Sequence, residues 1–133
     1  KNKKSNNTII LRAFRGIDHY LNISGHNTYK LEDCKNGKDL YEIPSSQFLR
    51  ISSGKFGIFN KLKLNRIKNS MNYAAKNGRL FHLWWHPHNF GNDIKYNIDF
   101  LKKILDHYRV LNNECDFQSL NMGEISSKID ELI

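Results

Sequence analysis

A chain of 133 residues with 39% hydrophobic content has apolar mass for a single core, so one compact domain is expected. No run approaches the ~18 apolar residues of a membrane-spanning helix, and the lysine-rich start lacks the apolar stretch of a signal peptide; the expectation is a cytoplasmic protein without a membrane span. The formal charge of +8 invites a nucleic-acid partner, but no aromatic residues alternate with the basic ones as a single-strand groove requires, so no nucleic acid is expected and the charge reads as a solvated, Lys- and Asn-rich surface.

The first residue is Lys rather than Met, which reads as a processed product or part of something longer. Residues 1–7 contain only Lys, Asn, Ser and are expected to be a disordered basic tail. Thr8 to Phe14 has the branched, apolar character of a strand. Residues 16–39 hold Gly16, Gly25, Asn27, Asn36 and Gly37 with few apolar residues in register, and read as loop, long enough to be functional or to hide an element. Asp39 to Pro44 alternates and reads as a second strand, ended by Pro44.

From Asn60 the period changes. Leu64, Ile67, Met71, Ala74 and Ala75 fall on one helical face, and Gly78 stands where a helix end wants a left-handed residue. Leu80 to Trp85 is a short apolar run expected to be a buried strand. Asn92 or Asp93 can cap the next helix, with Ile94, Ile98, Leu101, Leu105, Tyr108 and Leu111 as its apolar positions. Asp116 to Leu120 is a short strand candidate. Asn121 and Glu124 make an Asn variant of a capping box, followed by Met122, Ile125, Ile129 and Leu132 on one face. Cys34 and Cys115 match no metal or redox spacing and read as free thiols. The alternation of helix and strand implies an α/β chain, parallel strands with helices packed on them, and the sheet looks cut at its N-terminal side.

The stretch that looks built for chemistry is residues 79–91, Arg-Leu-Phe-His-Leu-Trp-Trp-His-Pro-His-Asn-Phe-Gly. An imidazole at the carboxyl end of a buried strand is well placed for a cleft, and histidine can carry a proton near neutral pH. His86 and His88 are one residue apart, so an extended chain points both to one face. A shared metal would need a third ligand; His107, Asp93, Asp99 and Asp106 downstream and Asp18, His19, His26 and Asp33 upstream are the candidates, and the signal for a complete site is weak. The bland readings stand beside this. His82 is a core or half-buried histidine with a hydrogen-bond partner, His88 bonds the turn around Pro87 and Asn89, and His107 sits near a helix C-terminus where its charge suits the dipole. Trp84 and Trp85 point to opposite faces, one into the packing and the other available as a platform for a sugar ring.

Phe81 to Phe90, then Asn97, Phe100 and Leu101, then Leu120-Asn121-Met122-Gly123-Glu124-Ile125 together resemble the C-terminal part of a polysaccharide deacetylase, the NodB-homology domain. Arg15 and the Leu40-Tyr41-Glu42-Ile43-Pro44-Ser45 segment fit less sharply. The resemblance implies a fold: residues 8–133 as the C-terminal part of a distorted (β/α) barrel. It implies an activity as well, hydrolysis of N-acetyl groups on an amino sugar, with a divalent metal, usually zinc, as the family's cofactor.

By the same resemblance His86 is the general acid toward the leaving amine and Arg15 orients the aspartate base. Trp84, Trp85 and His88 face the substrate, an N-acetylated polysaccharide or lipid-linked sugar. The departures are specific. The family's adjacent Asp-Asp pair and its pair of histidines four apart are not in this sequence, so neither base nor metal ligands are expected here. The isolated chain is expected to be inactive, with the missing N-terminal half as a possible partner. Two alternatives are a catalytically dead carbohydrate-binding module and, more remotely, a small basic nucleic-acid-binding domain.

Overall fold

The computed structural model describes residues 10–11, 16–18, 25–37, 40–50 and 57–133. Helix α1, Gly57–Lys76, carries the expected apolar positions: Ile67, Met71 and Ala74 are buried on it. It begins earlier than the periodicity suggests because its first turns bury polar groups, Asn60 and Lys63, which an apolar count does not register. Gly78 ends it at φ +58°, and the Arg79 N–H reaches the Ala74 carbonyl at 2.9 Å, the six-to-one bond of a Schellman motif.

Helix α2, Ile94–Cys115, follows a 3₁₀ turn over Pro87–Asp93. Asp93 is its N-cap residue, but its side chain makes no capping bond; instead Asn97 Nδ2 donates to the Asp93 carbonyl at 2.9 Å. Its other end closes on Asp116, left-handed at φ 50°, whose N–H bonds the Leu111 carbonyl. Phe100, Ile104 and Leu111 of α2 join Ile67 and Met71 of α1, with Leu49 and Phe90, in the larger core cluster. Helix α3, Met122–Leu132, starts on the expected capping box, Asn121 and Glu124 bonding each other's backbone N–H. Only Ile125 and Ile129 of its expected face are buried, in a second cluster with Cys34; Met122 and Leu132 are exposed. No helix among the described residues is long and apolar enough to cross a membrane.

The strands differ most from expectation. Two short strands, β1 (Lys35–Asn36) and β2 (Leu40–Tyr41), form an antiparallel hairpin, so the stretch expected to be loop hides an element; of the expected Asp39–Pro44 strand, Leu40–Tyr41 is strand, 42–44 is not, and Asp39 lies outside the described residues. The left-handed Gly37 (φ +77°) lies where the chain reverses. Strands β3 (Gln47–Phe48) and β4 (Leu83–Trp84) pair in parallel, Gln47 opposite Leu83 and Phe48 opposite Trp84. With α1 between them they form a β-α-β unit. Gln47–Phe48 was not expected as a strand, because two residues carry no readable period.

Leu80, at the start of the expected 80–85 strand, makes an isolated antiparallel bridge to Tyr29. Residues 116–121 carry no strand; the backbone there leaves α2 through the left-handed Asp116 and finds no sheet neighbour. Of the expected Thr8–Phe14 strand, Ile10 and Leu11 are helical, and the rest lies outside the described residues, as does the 1–7 tail. Cys34 is buried and Cys115 exposed, both as free thiols.

Candidate functional site

Strand β4 delivers its side chains to two sides, as strand alternation requires. On one side the Trp84 ring lies 4.5 Å from Phe48 of β3 and 5.1 Å from the His86 imidazole, edge to face. Phe48 and His86 are 5.7 Å apart. His88 stacks on His86 at 5.2 Å with 19° between the planes. Parallel strand pairing brings Phe48 opposite Trp84, and the turn at Pro87 brings His88 back over His86. The result is a row of aromatic rings, Phe48-Trp84-His86-His88, with both imidazoles exposed.

On the other side Trp85 approaches Phe90 at 6.2 Å and lines a cavity between the helices. Trp84, His86 and His88 are therefore brought together, and Trp85 is not among them. Arg15 lies outside the described residues. His86 stands on an open aromatic face; the cavity lies on the Trp85 side, with Trp85 itself exposed at its mouth. The His88 ring makes no hydrogen bond among the described residues, and the turn closes through the Asn89 N–H and the His86 carbonyl at 3.0 Å; the ring stacks instead.

The other histidines divide by their packing. His82 is half-buried, but its Nδ1 is buried without a hydrogen-bond partner, against the expectation of one; its backbone carries the local bonding, with N–H to Ser46 Oγ at 2.9 Å and its carbonyl to the Ser46 and Gln47 N–H groups. His107 reaches Asn72 Oδ1 of α1 at 2.8 Å. Burial, then Lys68, holds its imidazole below the ordinary value. It tethers two helices. His26 stacks on Tyr73 at 4.7 Å and approaches Ser70 Oγ at 3.4 Å, and Asp18 takes both terminal nitrogens of Arg66 at 3.1 and 3.0 Å. Of the four upstream candidates for a third metal ligand, Asp18 and His26 thus face α1, Asp33 lies in the 3₁₀ turn Glu32–Cys34, and His19 lies outside the described residues.

Among the described residues no three His, Cys, Asp or Glu side chains stand close enough to hold a metal ion. The stacked His86–His88 pair is also ill-suited to share one, since metal ligation needs ring planes that converge on the ion. These residues do not fit the zinc implied by the resemblance.

Two features escaped the sequence. One is the cavity behind Trp85, assembled from side chains of α1, α2 and α3. The other is Lys63, buried on α1, whose Nζ donates to the Arg50 carbonyl at 2.7 Å and lies 4.8 Å over the Phe100 ring. Burial, then the nearby Arg50, lowers its pKa to about 8. Lysine at an i−4 position from a core Ile is the only available signal, and it is too common to be specific. Set against protein-family models, curated proteins and solved structures, the chain matches none of them.

Proposed function

We propose that this chain is the C-terminal portion of a polysaccharide deacetylase-type domain, contributing the acid and the sugar platform of an amide hydrolysis and lacking its base. The observation that carries the reading is the aromatic row at the end of β4: an exposed imidazole, His86, held edge-on to Trp84 just beyond the carboxyl end of a parallel strand. The β3-α1-β4 unit is the repeating element of a (β/α) barrel, and ligand sites in such folds open at the strand ends where His86 and His88 stand.

The chemistry assigns each group a limited task. Releasing acetate from an N-acetyl sugar requires an activated water and polarisation of the carbonyl, and then a proton for the departing nitrogen. His86 delivers that proton from its ring; the indole of Trp84 offers an apolar face to a pyranose; His88, stacked behind His86, restrains the acid's orientation. Arg15 acts only through an aspartate that this sequence does not supply. Zinc in the whole family domain would supply the carbonyl polarisation, through ligands other than the described residues.

The isolated chain therefore binds N-acetylated oligosaccharide weakly and hydrolyses none of it. Acetate release from N-acetylglucosamine oligomers is assayed with and without added zinc; zinc-dependent turnover by this chain alone overturns the reading. Binding is followed by NMR shift perturbation. Trp84→Ala is expected to abolish it and Trp85→Ala to leave it intact. The same exposed row equally favours a second reading, a carbohydrate-binding module without catalytic role. Adding back a polypeptide that carries the Asp-Asp and paired-histidine motifs separates the two, since only the first reading expects activity to appear and to be lost in His86→Ala.

A further inference from the structure

The cavity behind Trp85 has a volume of about 560 Å³, within the range of small-molecule sites. Its walls include Met71 and Ala75 from α1, Leu101 and Ile104 from α2, and Ile125 from α3. Trp85, Leu105 and Met122 also line it and are exposed, so they stand where the cavity opens to solvent. Such a lining favours an apolar guest, because removing apolar surface from water is the main gain available there.

Three charged side chains stand on the lining, Arg79, Asp116 and Lys128. Lys128 of α3 borders the cavity, half-buried, and makes no ion pair or hydrogen bond among the described residues. Three nearby acids are engaged elsewhere, and Glu131 of α3 is exposed. Glu124 accepts from the Asn121 N–H at 2.7 Å, and Asp130 is held by Lys35 and Tyr41. Asp116 at the cavity edge takes Gln118. Arg79, the other cation on the lining, is spent on Thr28, through Nε to Oγ1 at 2.9 Å and a terminal nitrogen to the carbonyl at 2.7 Å. An apolar chamber with one uncommitted ammonium is complementary to a guest with an apolar body and one negative end.

We infer that this cavity binds a small amphipathic anion, a flexible apolar chain ending in a carboxylate, with the chain among the Met71, Ala75 and Leu101 side chains and the carboxylate on Lys128. This site is separate from the His86 face, which lies on the other side of β4.

The two tryptophans allow a direct test. In a Trp84→Phe background Trp85 is the only indole and reports on the cavity. Dodecanoate, added below its micelle concentration, is expected to change Trp85 emission saturably with one site per chain, and dodecanol to bind more weakly. Lys128→Met should weaken dodecanoate about tenfold and leave dodecanol unchanged, whereas Lys128→Arg should retain the dodecanoate affinity. Ala75→Phe, which fills the chamber, should abolish both, with Ala75→Leu as the milder filling variant if the larger ring disturbs folding by circular dichroism. No saturable change with dodecanoate overturns the site, and equal dodecanoate affinity in Lys128→Met overturns the role of the charge.

Discussion

His107 Nε2 lies 2.8 Å from Asn72 Oδ1, a polar contact between the two helices that build the larger core. The imidazole sits below its ordinary pKa because burial, then Lys68, opposes its charging. The folded state thus favours the neutral ring. Stability from this preference is fully present above the unfolded value of about 6.5 and is lost as pH falls through the lower folded value. Urea denaturation at pH 7.5 and pH 5 should show the wild-type chain losing stability on acidification, with a smaller loss in His107→Gln. At pH 7.5, His107→Ala should cost about 1 kcal/mol through the missing hydrogen bond.

Asp130 ties α3 to the hairpin, accepting from Lys35 Nζ and from the Tyr41 hydroxyl, both at 2.6 Å. Its carboxyl is held below the usual range, first by the Lys35 hydrogen bond and then by that of Tyr41. A lowered carboxylate pKa gives stability that is present above the unfolded value, near 3.9, and disappears as pH falls through the folded one. Melting temperature followed from pH 7 to pH 2 should fall less steeply in Asp130→Asn. Added salt should shrink the difference between the two chains at pH 7, because the group is exposed.

Lys63 is 2% exposed and still carries an amine. Lowering its pKa from about 10.5 to about 8 corresponds to roughly 3 kcal/mol against the charged form. The unfolded chain holds the proton more tightly, so stability should rise as pH climbs from 8 toward 10.5. Lys63→Met should remove that rise, and its advantage over wild type should be largest near pH 7, offset there by the unpaired Arg50 carbonyl. Guanidinium denaturation at pH 7 and pH 9.5 checks the sign.

Asn121 opens α3 by accepting the Glu124 N–H at 3.0 Å while Glu124 accepts the Asn121 N–H at 2.7 Å. Asn121→Ala should cost about 0.5–2 kcal/mol. Hydrogen exchange should place the loss in α3, with faster exchange at Ile125 and Ile129, and leave the α1–α2 core unchanged. A uniform loss of protection would show that α3 is not a separate unit.

The sequence by itself determined helices α1, α2 and α3 and two of the devices that end them, the end of α1 and the start of α3. Ile67, Met71 and Ala74 repeat at helical spacing within one element, Gly78 supplies the left-handed end, and Asn121 with Glu124 forms a cap four residues long. Each depends on neighbours within a turn or two, so periodicity reads them. Trp84 and Trp85 pointing apart was legible for the same local reason.

Only the tertiary structure decided the strand partners and the shape of the candidate sites. β4 is joined to Gln47–Phe48 and not to the Leu40–Tyr41 segment, which turns back on Lys35–Asn36. These strands are two residues long, too short to carry a pattern, and pairing is a contest among distant segments that no local signal settles. The same contest sets Phe48 beside Trp84 and His86, and assigns Trp85 to a cavity walled by three helices. Hydrogen bonding along a strand is indifferent to side-chain identity; packing across the whole chain selects the register, and the register determines which rings meet.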